Sequence, residues 1–213
     1  MTTIVCLSDT HNRCNLPSVP PCDIVIHSGD ATMKGTSSEV AEFAEWFGSS
    51  EIDAKHRVFV PGNHDFLFET DPETAVRILN SKADNRITVL NQESVVLEGL
   101  IIYGEPRQPW FYNWAFNVQR PDMEKVWNQV PPDTDILVTH GPPLGYGDLT
   151  LRGEHPGCRY QANLLLNYNI QLVVCGHIHS GYGLYQCGQT IVANASVCNE
   201  QYIPKNPPLV IEL

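Results

Sequence analysis

The sequence predicts a mixed α/β sandwich with sheets inside and helices outside. Three observations carry that expectation. Strand-like apolar runs alternate with amphipathic helical patterns through the first half of the chain, which reads as βαβ units. Hairpin patterns follow in the second half. The 213 residues are 42% hydrophobic, enough to bury a core, and are expected to form one domain over 1–213.

Each element has its own warrant. Strands are expected at Thr3–Leu7, 23–27 and 57–60. Val40, Phe43, Ala44 and Phe47 follow i, i+3, i+4, i+7 spacing, with Ser37 or Ser38 as the cap and Gly48 at the end. Asp71-Pro72-Glu73 starts a helix through Ala75, Val76 and Leu79, with proline at the first helical position. Runs at 95–98 and 100–103 flank Gly99 as a hairpin. Pro121 opens a short helix carrying Met123, Val126 and Trp127. Apolar runs at 135–139 and 171–175 bracket a helix marked by Ala162, Leu165 and Leu166. Gly183–Cys187 and Thr190–Asn194 flank Gly188-Gln189, a two-residue hairpin turn. A last strand is expected at 209–213.

Composition excludes several classes. A net charge of −11 argues against an extended nucleic-acid groove or an anionic membrane surface, since both need a basic field. No run approaches the roughly 18 apolar residues of a membrane helix. The N-terminus lacks a basic segment followed by an apolar run, and the seven cysteines include no close pair. Cys6 and Cys175 fall inside apolar strand runs as small core residues. These features lead to an expectation of a reducing, cytoplasmic setting.

Five polar motifs each follow directly after a strand run. They are Ser8-Asp9-Thr10-His11, Ser28-Gly29-Asp30, Pro61-Gly62-Asn63-His64-Asp65, His140-Gly141-Pro142 and Gly176-His177-Ile178-His179. Ligand sites of open α/β sheets gather outside the carboxyl ends of strands. Taken singly, each motif reads as a turn, a cap or a hydrogen-bonding side chain. His177 and His179 would even point to opposite faces of a continuing strand, and share a site only if the chain leaves it, which Gly176 permits. Taken together, the carboxylates, one amide and five histidines at strand exits form a metal-ligand set. Oxygen and imidazole donors without thiolate suit divalent manganese, iron or zinc, and magnesium less well. A pair of such ions can clamp a phosphoryl group.

These motifs, in this order, resemble the full signature of the calcineurin-like metallophosphoesterases. Trp110-Phe111, Trp114, Phe116-Asn117, 139–145, Gly181-Tyr182-Gly183 and Asn194-Ala195-Ser196 extend the likeness to a small metallophosphoesterase-domain-containing subgroup. The resemblance implies a four-layer α/β/β/α sandwich. It implies one metal on Asp9, His11 and His179, a second on Asn63, His140 and His177, and Asp30 bridging both. It also implies that His64 faces the substrate phosphate without coordinating, and that Asp65 orients His64. The implied activity is hydrolysis of small phosphodiesters such as cyclic nucleotides. A metal-bridging hydroxide would attack, while His64 protonates the leaving oxygen or hydrogen-bonds the transition state. Two divalent ions less the charges of Asp9 and Asp30 make a local centre of about +2, whatever the distant surface carries.

Three alternatives stay open at this level: a phosphomonoesterase or protein phosphatase on the same cluster, a nuclease, which the charge disfavours, and a non-catalytic module. Trp110, Phe111 and Trp114 are candidate stacking surfaces for a base, or else packing aromatics. Arg107 and Arg152 are candidate phosphate contacts, or else solvated surface arginines. His27 is expected to pack or make one hydrogen bond. His56 and His155 are placed in polar loops. The Asn194 sequon is read as a structural turn.

Overall fold

The computed structural model describes residues 1–13 and 18–213, so Cys14 lies outside the described residues. In chain order the strands are β1 (Thr3–Leu7), β2 (Cys22–His27), β3 (Ala54–Phe59), β4 (Ile87–Val89), β5 (Glu93–Leu97), β6 (Leu100–Glu105), β7 (Gln108–Pro109) and β8 (Asn117–Val118). They continue with β9 (Ile136–Thr139), β10 (Leu172–Cys175), β11 (Gly183–Cys187), β12 (Thr190–Asn194) and β13 (Leu209–Glu212). The α-helices are α1 (Ser37–Phe47), α2 (Phe66–Thr70), α3 (Pro72–Ala83), α4 (Met123–Trp127) and α5 (Arg159–Leu165).

Two sheets stack. One runs β13-β1-β2-β3-β4 and the other β11-β12-β10-β9-β6-β5, while β7 and β8 make a small parallel pair. Strict alternation along the strands sorts the core into three clusters. Ile4, Cys6, Ile24, Ile26, Ile136, Val138, Leu172 and Val174 pack between the sheets. Val5, Leu7, Val25 and Phe59 turn the other way onto Phe43, Phe47 and Leu79 of α1 and α3. Leu137, Val173 and Val192 meet Met123, Trp127 and Leu165 of α4 and α5. The result is helix, sheet, sheet, helix, as the resemblance implied.

The cap of α1 lies one residue before the expected positions. Thr36, not Ser37 or Ser38, is the N-cap: its Oγ1 accepts from Glu39 N at 3.3 Å, and Glu39 Oε2 accepts from Thr36 N at 3.0 Å. This reciprocal box satisfies two donors that have no partner inside the helix. Asp71 caps α3 through Thr74 N, with Pro72 in the first turn. Helix α5 ends at Leu165, and Leu166 turns to solvent. Its inward face is Gln161, Leu164 and Leu165, one residue out of phase with the Ala162 reading. Strands β4, β7 and β8 and helix α2 were not expected from the sequence. All are five residues or shorter, and periodicity needs a longer window.

His27 is fully buried, edge-on to Phe43, Phe47 and Phe59, with Nε2 at 2.9 Å from Thr10 Oγ1. Burial pulls its pKa down to about 3, so the ring packs as a neutral group. His56 lies within β3, not in a loop, and pairs with Glu98 at 3.0 Å. His155 is a loop residue as expected, held by buried Asp148 at 2.7 Å.

Thr36 is exposed, so its substitution tests the cap alone. Thr36→Ala is expected to lower the unfolding free energy by about 1 kcal/mol, read by urea denaturation. An unchanged midpoint would contradict the box.

Candidate metal centre

The five motifs occupy the carboxyl ends of β1, β2 and β3 in one sheet and of β9 and β10 in the other. These strands are parallel within each sheet, so their ends open on one edge of the sandwich. A parallel bridge between Ser8 and Ser196 joins the sheets there. Asp9, His11, Asp30 and His177 all adopt positive φ, between 46° and 66°. Aspartate and histidine tolerate this region better than most residues, and the kink turns each side chain inward from the strand line. His177 leaves the strand through its own left-handed turn, not through Gly176. Gly176 is required for space, because a Cβ there would overlap Ser8 Oγ and Asp9 Oδ2.

The donors converge in three overlapping groups: Asp9, His11 and His179; His11, Asp30 and His64; and Asp30, His140 and His177. In each group the ligand atoms lie within 4.8 Å of one another. His179 Nε2 is 3.2 Å from Asp9 Oδ1, and His140 Nε2 is 3.2 Å from Asp30 Oδ2. His11 Nε2 stands 4.0 Å from Asp9 Oδ1 and 3.9 Å from Asp30 Oδ2. Asn63 Oδ1 is 3.0 Å from His140 Nε2. All seven expected ligand residues are therefore brought to one place.

Backbone carbonyls fix the rings. The Nδ1 atoms of His11, His140 and His179 donate to the carbonyls of Thr32 (3.2 Å), Ser28 (2.9 Å) and Asn199 (2.8 Å). A carbonyl can only accept, so Nδ1 carries the proton and Nε2 faces the cluster, the arrangement of ligating histidines. His11 Nε2 and His179 Nε2 then oppose each other at 3.4 Å. Two nitrogen lone pairs at that distance need a cation or a proton between them.

The charge balance makes the same point. Asp9 and Asp30 are buried, yet His179 and His140 facing them hold both carboxyls well below the usual range, against the upward push of burial. Burial pulls the His140 and His179 rings down, but Asp30 and Asp9 lift both to about 9. Burial alone dominates at His11 and His177, which fall to about 4 and 3. Positive charge is thus drawn to the two carboxylates and can be supplied by protons or by metal ions. No lysine or arginine pairs with either one among the described residues. The donor set fits divalent cations.

His64 and Asp65 differ from expectation in their partners. His64 Nδ1 donates to Met33 O at 2.7 Å, and its ring lies on Trp114 with centroids 4.2 Å apart. The Asp65 carboxylate instead accepts from Gly62 N at 2.7 Å, and from Thr32 N and Thr32 Oγ1 at 2.9 and 2.7 Å. It holds the loops carrying Asp30 and Asn63 and makes no hydrogen bond to the His64 ring. Burial, then Asp30 nearby, raises the Asp65 pKa to about 6.

A cleft of about 520 Å³ opens over the donors, lined by Asp30, Asn63, His64, His177 and His179, with Phe111, Arg152 and Tyr202 at its walls. Phe111 meets the His177 ring edge-on at 5.6 Å. Trp110 is 47% exposed and does not line the cleft. Trp114 is used in packing on His64 and Phe66. Arg107 forks onto buried Glu105 at 2.8 and 2.9 Å and is not free for phosphate. Three supports had no role at the site in the sequence reading, which took the Asn194 sequon as a structural turn. Asn194 Nδ2 donates to Gly147 O and Ile178 O and its Oδ1 accepts from Ser196 N, so this buried residue clamps the histidine loop. Ser196 Oγ donates to Asp9 Oδ2 at 2.7 Å. Tyr202 sets its ring against His11, His64 and His179. The first two sit at a strand exit, the position that flagged the other motifs.

Sandwich and donor set together define a metallophosphoesterase, a phosphoester hydrolase with a candidate dinuclear centre. The family model described as calcineurin-like phosphoesterase matches residues 2–181. The human protein named metallophosphoesterase domain-containing protein 1 is 39% identical over 236 aligned residues, covering 100% of this chain and 71% of that protein. The Escherichia coli 3′,5′-cyclic adenosine monophosphate phosphodiesterase CpdA is 24% identical over 83% of this chain and 61% of its own length. A solved structure superposes with a TM-score of 0.65 at 17% identity, covering 91% of this chain and 90% of that one, which speaks for the fold. The chain belongs to the calcineurin-like phosphoesterase family.

Ser196 touches Asp9 without being a donor to the cluster. Ser196→Ala is expected to weaken divalent-ion binding about 10- to 100-fold, read by competition with a chelator. Unaltered affinity would remove Ser196 from the centre.

Proposed function

We propose that the protein is a dinuclear metal-dependent phosphodiesterase acting on small diesters such as cyclic nucleotides. The observation that carries this reading is the convergence of every expected donor, with a further histidine beside the set. In this reading Asp9, His11 and His179 hold one ion, Asn63, His140 and His177 hold the other, and Asp30 serves both. Manganese, iron or zinc suits these nitrogen and oxygen donors. Bound there, the ions supply Lewis acidity toward phosphoryl oxygens.

The chain's own residues do the rest. Parallel strand ends fix the donors, so little rearrangement is needed when an anion arrives. His64, anchored through Nδ1 and Trp114, presents Nε2 to the cleft at 3.9 Å from Asp30 Oδ2. A proton on Nε2 passes to the leaving oxygen of the ester. Asp65 acts at one remove, keeping the loops of Asp30 and Asn63 in place. Arg152 lies on the exposed rim and meets an incoming anion first. The likeness to the E. coli cyclic nucleotide phosphodiesterase supports the diester class.

His64→Ala is expected to retain both ions and to lower kcat by about 10²–10⁴-fold. Loss of an ion would instead count His64 among the ligands, and unchanged turnover would end its role as the acid. Comparison of bis-p-nitrophenyl phosphate with p-nitrophenyl phosphate tests the diester assignment. The diester is expected to be the better substrate by kcat/KM, and a clear preference for the monoester would overturn the reading.

A further inference from the structure

The loop after Cys198 carries Tyr202, whose ring stands against three imidazoles of the centre. Its centroid lies 4.7 Å from that of His11 and 5.6 Å from that of His179, with the planes near perpendicular at 87° and 89°. His64 is the third, at 6.1 Å. Tyr202 is half-buried and lines the cleft beside His64 and His179.

The backbone at Tyr202 is left-handed, with φ at 57°. A bulky residue is an outlier there, whereas glycine takes the same conformation without steric cost. Asn199 imposes this shape on the loop. Its Oδ1 accepts from the backbone N of Gln201 and of Ile203, both at 3.0 Å, and its own N donates to Ile203 O at 3.0 Å. The Asn199 carbonyl accepts twice, from Tyr202 N at 2.8 Å and from His179 Nδ1 at 2.8 Å. One carbonyl thus fixes both the histidine and the tyrosine that faces it. Strained residues persist where the surroundings hold them, and they cluster where function uses the side chain. Here an aromatic ring is kept at a position whose backbone suits glycine.

We propose that Tyr202 is a positioning residue of the metal centre, whose ring holds the His11 and His179 imidazoles with Nε2 turned to one shared cation. Each imidazole is then held at two places. A carbonyl accepts from its Nδ1, that of Thr32 for His11 and that of Asn199 for His179. The phenol ring blocks rotation of its plane, and perpendicular aromatic pairs at this spacing are favourable. His140 has the carbonyl without the tyrosine: its Nδ1 donates to Ser28 O, and the ring beside it is that of His177. Tyr202 therefore acts on one cation position and leaves the other alone. The placing of His11 and His179 on one ion rests on the dinuclear reading above. The hold on the two rings rests on the contacts themselves.

Tyr202→Gly removes the ring while glycine keeps the loop conformation. Competition with a chelator on the zinc-loaded protein is expected to show one of the two ions held about 10- to 100-fold more weakly and the other unchanged. Tyr202→Phe, which restores the ring without the hydroxyl, is expected to match the wild type. Nitrogen-edited NMR of the histidine Nδ1–H groups gives a second readout. Their solvent exchange in Tyr202→Gly is expected to quicken at His11 and His179 and to stay the same at His140. Unaltered affinity, equal weakening of both ions, faster exchange at His140 as well, or a Tyr202→Phe no better than Tyr202→Gly would each overturn the proposal. Should Tyr202→Gly fail to fold, Tyr202→Leu keeps the bulk without the ring and carries the same expectations. The ion count of the wild type reads the dinuclear assignment separately. Fewer than two ions there, with exchange quickened only at His11 and His179 in the variant, would uphold the role of Tyr202 and defeat the dinuclear reading.

Discussion

Two carboxylates buried side by side constrain the rest of this structure. Asp9 is fully buried and Asp30 is 2% exposed. Water is excluded from both, and no lysine or arginine neutralises either among the described residues. An unpaired buried carboxylate is strongly disfavoured. Positive charge must therefore come from the imidazoles or from bound cations. The lifted pKa of His140 and His179 and the opposed nitrogens of His11 and His179 are two expressions of that requirement.

The fold answers the requirement by rigidity. Each donor leaves the end of a parallel strand buried on both faces, between a helix layer and the opposite sheet. Left-handed kinks at Asp9, His11, Asp30 and His177 aim the side chains, at a cost that surrounding packing offsets. Outer contacts then fix orientation: Ser196 on Asp9, Asp65 on the Thr32 and Gly62 backbones, and carbonyls on three imidazoles. The net charge of −11 is no obstacle to an anionic substrate, because the field near the substrate is that of the centre and not of the surface.

Much of this was legible in the sequence because long strands and strand-exit motifs leave local signals. Thr3–Leu7, Gly183–Cys187 and Thr190–Asn194 match their expected bounds, and the seven residues expected to be ligands lie together. What escaped depends on contacts between distant segments. Asp65 follows His64 in sequence yet bonds to Thr32, while Met33, thirty-one positions back, orients the ring. Trp114 belongs to an aromatic loop, but only tertiary packing reveals that it backs His64 while Phe111 faces the cleft.

Asp30 belongs to two of the overlapping donor groups, and in the proposed function it serves two cation positions. Elemental analysis of purified wild type and Asp30→Ala, each dialysed against the same metal, tests it most directly. Two divalent ions per wild-type chain and none in the variant are predicted, whereas two tightly held ions in Asp30→Ala would contradict the account.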